Sequence, residues 1–163
     1  MRGRPFHIVT DWRIKGNLSD VARLLLRLED WPVWWGGTYR AVKLRDDGSY
    51  LVRSKGLLPL SLRWTARILP QSLPYAWVLE MAGDLNGHSC WSLRQAGVLV
   101  EVENDWYPFG PPLLGSLTAP SHRWAMAQGQ QALSAELARQ GRMGDPPMLP
   151  DPAAQPARLP AIQ

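Results

Sequence analysis

The chain has 163 residues, 45% of them hydrophobic and 20% charged, with a formal net charge of +4 and one cysteine, Cys90. That is the length of one domain, with enough apolar residues for a sizeable core. Its 18 Lys and Arg are scattered singly among 14 Asp and Glu, which argues against the basic footprint of a nucleic-acid binder, and a lone cysteine excludes an internal disulfide framework.

The opening MRGRPFHIVTDW has no apolar signal core and no segment is long enough to span a membrane, so a reduced cytoplasmic compartment without stable membrane insertion is expected. Phe6 to Ile14 alternates, with Phe6, Ile8, Thr10, Trp12 and Ile14 on one face, as in a half-buried strand. Asn17, with Asp20 three residues on, opens a short helix through Leu28 whose inner face is Val21, Leu24, Leu25 and Leu28. Asp30 is placed to cap a second short helix, with Trp31 and Pro32 in its first turn, Trp34 and Trp35 in its body, and Gly36-Gly37 at its end.

Strands follow with little interruption. Thr38 to Leu44 and Tyr50 to Lys55 flank Asp46-Asp47-Gly48, a hairpin turn. Leu60, Leu62, Trp64, Ala66 and Ile68 form one face of the next strand; Tyr75 to Leu85 puts Trp77, Leu79, Met81 and Gly83 together. After Asn86-Gly87, Ser89, Trp91 and Leu93 share a face, and past Gly97 so do Val98, Val100, Val102, Asn104 and Trp106. Seven strands, mostly sequential, predict an antiparallel meander.

Residues Pro108 to Pro120 (PFGPPLLGSLTAP) form a proline- and glycine-rich connection to a last helix, Pro120 to Gln140. Pro120 suits a first turn and Gly141 a helix end. The stripe His122, Met126, Gly129, Leu133 and Leu137 gives that helix one buried face, and it covers the apolar side of the sheet. Leu133 and Leu137 are ordinary packing residues, whereas His122, Met126 and Gly129 fill space poorly or adaptably. Two readings stay open: a plain core with a histidine at its rim, or a helix that packs tightly at one end and roofs a cavity at the other. From Arg142 to Gln163 the chain has six prolines, no aromatic residue and no periodicity, so a disordered proline-rich tail after a 5–141 domain is expected.

The order of strand, two short helices, six strands and a long C-terminal helix is the helix-grip arrangement of an α+β protein. The chain resembles the START/Bet v 1-like (SRPBCC) superfamily, in particular its bacterial polyketide cyclase/dehydrase and lipid-transport-like members. The resemblance rests on LEDWPVWW (Leu28 to Trp35), LPLSLRW (Leu58 to Trp64), AGDLNGHSCW (Ala82 to Trp91), NDW (Asn104 to Trp106) and the HRWAMAQGQQAL opening of the last helix. It implies a seven-stranded antiparallel sheet wrapped around the last helix, and a cavity for a hydrophobic or amphipathic small molecule such as a lipid, a polyketide or an aromatic compound. Members include carriers, sensors and a few cyclases and hydrolases, and no catalytic set is common to them.

The acids and bases on outward strand faces (Glu80, Glu101, Glu103, Asp105, Arg63, Arg67 and His7) are expected to be solvated. The inward polar set is Thr10, Ser89, Asn104 and His122. Hydroxyls and an amide orient a ligand, and only His122 titrates near neutral pH. No nucleophile motif or metal-ligand cluster accompanies it, and no cofactor is expected. The candidate ligand-binding residues are therefore Thr10, Trp35, Trp64, Trp77, Met81, Ser89, Trp91, Asn104, Trp106, His122 and Met126. A pocket mouth is expected from Trp34-Trp35, Lys55 to Leu58 and Pro108 to Leu114. The favoured function is binding, as carrier or sensor; the alternatives are a cyclase/dehydrase-like enzyme using His122, and a structural or partner-binding domain with a filled core.

Overall fold

The computed structural model describes residues 7–57, 60–109 and 112–143, with the backbone alone at 112–117, 142 and 143. Strand β1 (Ile8–Lys15) leads through Asn17, whose side-chain oxygen accepts the Asp20 N–H at 2.9 Å, into helix α1 (Leu18–Leu26). A single 3-10 turn, Leu28–Asp30, runs into the one-turn helix α2 (Trp31–Trp34). Six strands follow: β2 (Tyr39–Leu44), β3 (Tyr50–Lys55), β4 (Ser61–Pro70), β5 (Ala76–Gly83), β6 (Gly87–Ala96) and β7 (Leu99–Pro108). Helix α3 (Pro112–Met143) closes the described chain.

The seven strands form one antiparallel sheet in the order β1-β7-β6-β5-β4-β3-β2. From β2 to β7 each strand pairs antiparallel with its neighbour in sequence, and β1 lies along the free edge of β7 with Thr10 opposite Asn104 and Trp12 opposite Val102. The β2–β3 turn is built by Gly48 at φ 81° and by Asp47, whose carboxylate accepts the Ser49 N–H at 2.9 Å. Alternation then does what a period of two requires. Ile8, Trp12, Ile14, Trp64, Trp77, Leu79, Trp91, Leu93, Val100, Val102 and Trp106 are buried on the concave side, while Arg53, Arg67, Glu80 and Arg94 stay exposed.

The core is a run of aromatic rings. Trp77 stacks on Trp91 (6.0 Å, 8°), Trp91 meets Trp12 edge-on (5.8 Å), and Trp12 meets Trp35 (5.8 Å). Trp35 in turn touches Trp31, Trp34 and Tyr39 at 4.9–5.3 Å. Offset and edge contacts of this kind add about 0.5–1.5 kcal/mol per pair beyond area burial.

Three local expectations need correction. The last helix starts at Pro112, two turns before Pro120, and the positional rule for a first-turn proline belongs to Pro112; Pro120 lies inside the helix, where its missing N–H removes one i→i−4 bond. Gly141 lies within the final turns without positive φ, so it is not the helix stop. Asp30 precedes α2 but its side chain makes no capping bond; it pairs with Arg27 at 3.3 Å instead. The stretch expected to be a disordered tail lies, apart from Arg142 and Met143, outside the described residues. No helix among the described residues is long and apolar enough to cross a membrane.

Candidate functional site

The concave face and α3 do not fill the space between them. A cavity of about 250 Å³ lies between strands β3–β7 and the stretch of α3 from Thr118 to Met126. At the other end of the helix Leu133 is fully buried, and a Cβ added at Gly16 would lie 3.5 Å from Leu137 Cδ1, so the grip is tight there. The physical reason is side-chain volume: Ser121, His122, Ala125 and Met126 face the wide end of the curl, and none spans it.

Of the eleven candidate residues, eight border the cavity: Trp64, Met81, Ser89, Trp91, Asn104, Trp106, His122 and Met126. Thr10, Trp35 and Trp77 do not. Thr10 faces the same side as Asn104 but sits on β1, one strand beyond the wall. Trp77 lies behind Trp91, against which it stacks. Trp35 is 1% exposed and spent on structure: its indole N–H donates to the Ala125 carbonyl at 3.1 Å, and its ring occupies the space above Gly129. Trp34 is also buried, so this pair forms no mouth; and from Pro112 the expected third mouth segment is helical. Gly110 and Pro111, like Leu58 and Pro59, lie outside the described residues.

The wall also uses residues that the candidate set omitted: Thr38, Tyr39, Ser54, Lys55, Leu62, Leu79 and Ser121. Strand periodicity already put Leu62 and Leu79 on the inner face. Thr38 and Tyr39 carry no such signal, because β2 at the sheet edge alternates weakly; Ser54 shares the inner face of β3 with Val52, and Ser121 belongs to a wall only once α3 is laid over the sheet.

Four of the five buried polar residues among those described (Thr38, Ser54, Ser89 and Asn104) border this one cavity. On the β6–β7 side the Asn104 amide donates to Ser89 Oγ at 2.5 Å, while its own carbonyl oxygen, buried, has no partner. His122 stacks on Trp106 (4.3 Å, 19°), and its Nε2 is likewise buried and unpartnered, as is Trp91 Nε1. On the β2–β3 side, Trp64 Nε1 donates to Ser54 Oγ at 2.9 Å, and Thr38 Oγ1 and Trp31 Nε1 have no partner. Buried polar atoms without partners are costly and rare, so their concentration around one apolar space is informative. Burial, assisted by the nearby Arg123 charge, lowers the His122 pKa to about 4, which makes its imidazole neutral at physiological pH. Burial also pushes the Tyr39 phenol far up, so the wall carries no titrating acid there. Cys90 faces away from the cavity, and burial beside Asp105 raises its thiol pKa, as expected of an inert cysteine. No group of His, Cys, Asp and Glu among the described residues is arranged to hold a metal ion.

No protein-family profile matches the chain, and no curated protein does. Solved structures match at the level of fold. An aromatase/cyclase, Zhui from Streptomyces sp. R1128, superposes with a TM-score of 0.69 at 9% identity, over 83% of this chain and 94% of that one. A START superfamily protein from Mycobacterium smegmatis gives 0.63 at 11% identity, over 82% and 98%. The di-domain ARO/CYC StfQ of the steffimycin biosynthetic pathway gives 0.63 at 16% identity, over 82% of this chain and 46% of that one, about one of its two domains. With its curled seven-stranded antiparallel sheet closed by one long C-terminal helix, the chain has the START/Bet v 1-like helix-grip fold of the SRPBCC superfamily.

Proposed function

We propose that the protein binds a hydrophobic or amphipathic small molecule in this cavity, as a carrier or sensor. The observation that carries the reading is the company the space keeps: apolar and aromatic walls, with the chain's buried polar side chains gathered around them. Apolar voids in packed cores are unfavourable by about 24 cal/mol per Å³ when made by truncation, and unpartnered polar groups add to that. A ligand with an apolar body and a few hydrogen-bonding groups offsets both. Trp64, Trp91 and Trp106 supply flat surface, and Ser89, Asn104 and His122 supply a polar floor that orients the molecule. The solved neighbours include aromatase/cyclases and a START protein, which accords with a hydrophobic ligand without naming it.

The catalytic alternative puts His122 to work on protons. A base with a pKa near 4 accepts a proton poorly from a weak acid at neutral pH, since general-base efficiency is greatest when the pKa lies near the working pH. Among the described residues, no carboxylate borders the cavity to raise it. Binding therefore stands ahead of catalysis.

The test is fluorescence titration of the full chain with the neutral apolar probe N-phenyl-1-naphthylamine. Saturable binding with quenching of tryptophan emission is expected, because Trp64, Trp91 and Trp106 border the space. Met126→Trp fills it and should abolish probe binding while the urea midpoint holds. A parent protein that takes up no probe, joined by a Met126→Trp variant that unfolds readily, would leave a filled domain of structural role as the better reading.

A further inference from the structure

The two polar ends of the cavity carry different unpartnered groups. Around the β6–β7 end the free atoms include acceptors, Asn104 Oδ1 and the neutral His122 ring. Around the β2–β3 end they are donors. Lys55, at the end of β3, borders the cavity and is the one cationic side chain in its wall among the described residues. It takes part in none of the five ion pairs among the described residues. Three hydroxyl-bearing residues, Thr38, Ser54 and Ser121, border the same cavity. Thr38 accepts the Lys55 backbone N–H at its carbonyl (2.7 Å), and its own hydroxyl is buried without a partner. Ser54 Oγ accepts from Trp64, which leaves its O–H to donate. Ser121 Oγ accepts the Leu57 N–H at 3.2 Å, again with a hydrogen left over, and it sits close enough to Gly56 that an added Cβ there would lie 2.9 Å away. Strand β3 and helix α3 thus meet through a serine that belongs to this rim.

A cationic residue and several hydroxyl donors on the wall of one cavity, which no carboxylate among the described residues borders, make a site for an anion. We infer that the ligand is an anionic amphiphile: an apolar body in the cavity carrying one anionic group, a carboxylate or its equivalent, bound at the Lys55 rim by Lys55, Thr38 and Ser121. The inference rests on the cavity-binding reading above and adds the charge of the ligand and its orientation, anion toward β3 and body toward Trp106. The flat indole faces of Trp64, Trp91 and Trp106 favour a ring body over a flexible chain.

Two probes separate this inference from the reading beneath it. 8-Anilino-1-naphthalenesulfonate and N-phenyl-1-naphthylamine share one ring skeleton and differ by the sulfonate. With the full chain, Lys55→Gln should weaken the sulfonate about ten-fold or more, the scale of a charge-assisted bond, and leave the neutral probe within about two-fold; Lys55→Arg should restore most of the loss. Arg53→Gln removes the same net charge from an exposed residue of the same strand that does not border the cavity and should change neither. Met126→Trp should exclude both probes, which places the sulfonate in the cavity. If the neutral probe binds and Lys55→Gln leaves the sulfonate unaffected, or Arg53→Gln weakens it equally, the anion site is refuted while the cavity stands. If neither probe binds the parent, the cavity reading fails and this inference with it. Displacement of the sulfonate by 2-naphthoate in preference to decanoate supports a ring acid; the reverse order supports the Lys55 anchor with a fatty-acid body and overturns the ring preference.

Discussion

Gly129 shows how one residue's meaning depends on what lies across from it. On the stripe of α3 it looks like a gap left for a ligand, but a Cβ there would lie 2.3 Å from Trp35 Cζ2, and Trp35 is already held to the Ala125 carbonyl. Alanine gains about 1 kcal/mol of helix propensity over glycine, yet Gly129→Ala should lose net stability, because overpacking a rigid buried ring costs about 1–3 kcal/mol and strains that bond as well. Urea unfolding decides it: an unchanged or raised midpoint means that the ring yields freely. His122 makes a second prediction at this scale. Its folded pKa of about 4 lies below its ordinary 6.5, so between those values the unfolded chain holds more protons than the folded one. Stability is then full above pH 6.5 and falls as the pH drops toward 4, by up to about 3 kcal/mol. His122→Phe keeps a ring on Trp106 without titrating, so its unfolding free energy should change less than the parent's between pH 7 and pH 4.5. The carboxylates with lowered pKa values, Asp47 and Glu136, are common to both proteins and cancel in the difference. Parallel pH profiles would show that the imidazole is hydrated.

At the scale of elements, the strands were legible because a period of two survives in their sequences, and their turns carry glycine where positive φ is needed, as at Gly48 and Gly97. The start of α3 was not. Proline marks helix starts, but Pro112 and Pro120 both qualify on sequence, and the structure begins the helix at the earlier one. Pro120 is exposed and interior, a position that costs a helix up to about 3 kcal/mol relative to alanine. Pro120→Ala should therefore raise the urea midpoint, and a lowered midpoint would mean that the helix needs its break to clear the cavity rim. The edge strand β2 was the weakest reading for a related reason. Its face is set by Tyr39 leaning on Trp31 and Trp35, and those contacts arise from α2, eight residues or fewer upstream but in another layer.

For the whole molecule, the described fold reaches Met143, and we propose that the 5–141 domain with its last turn is the autonomous unit. A chain cut after Met143 should keep its unfolding free energy within about 1 kcal/mol of the parent, the scale of changes at sites without buried contacts. Loss of cooperative unfolding in that truncation would assign the proline-rich stretch a structural role.

Sequence by itself determined the element order, the antiparallel sheet and its inner face, since alternation, caps and turns are local and each acts over a few residues. It also brought Ser89, Asn104, His122 and the inward tryptophans to one side. It did not separate Trp64, Trp91 and Trp106, which border the cavity, from Trp35 and Trp77, which are packed away, because periodicity assigns a residue to a face and says nothing of its depth along a curled sheet. Tertiary structure alone decided that, through the crossing of α3: where the helix seats Gly129 against Trp35 and buries Leu133, the core is closed, and where Met126 and His122 face a wider curl that neither spans, space is left. The Lys55 rim belongs to the same class of fact. Thr38, Lys55 and Ser121 stand far apart in sequence, and only closure of the sheet against the helix brings them to the wall of one cavity.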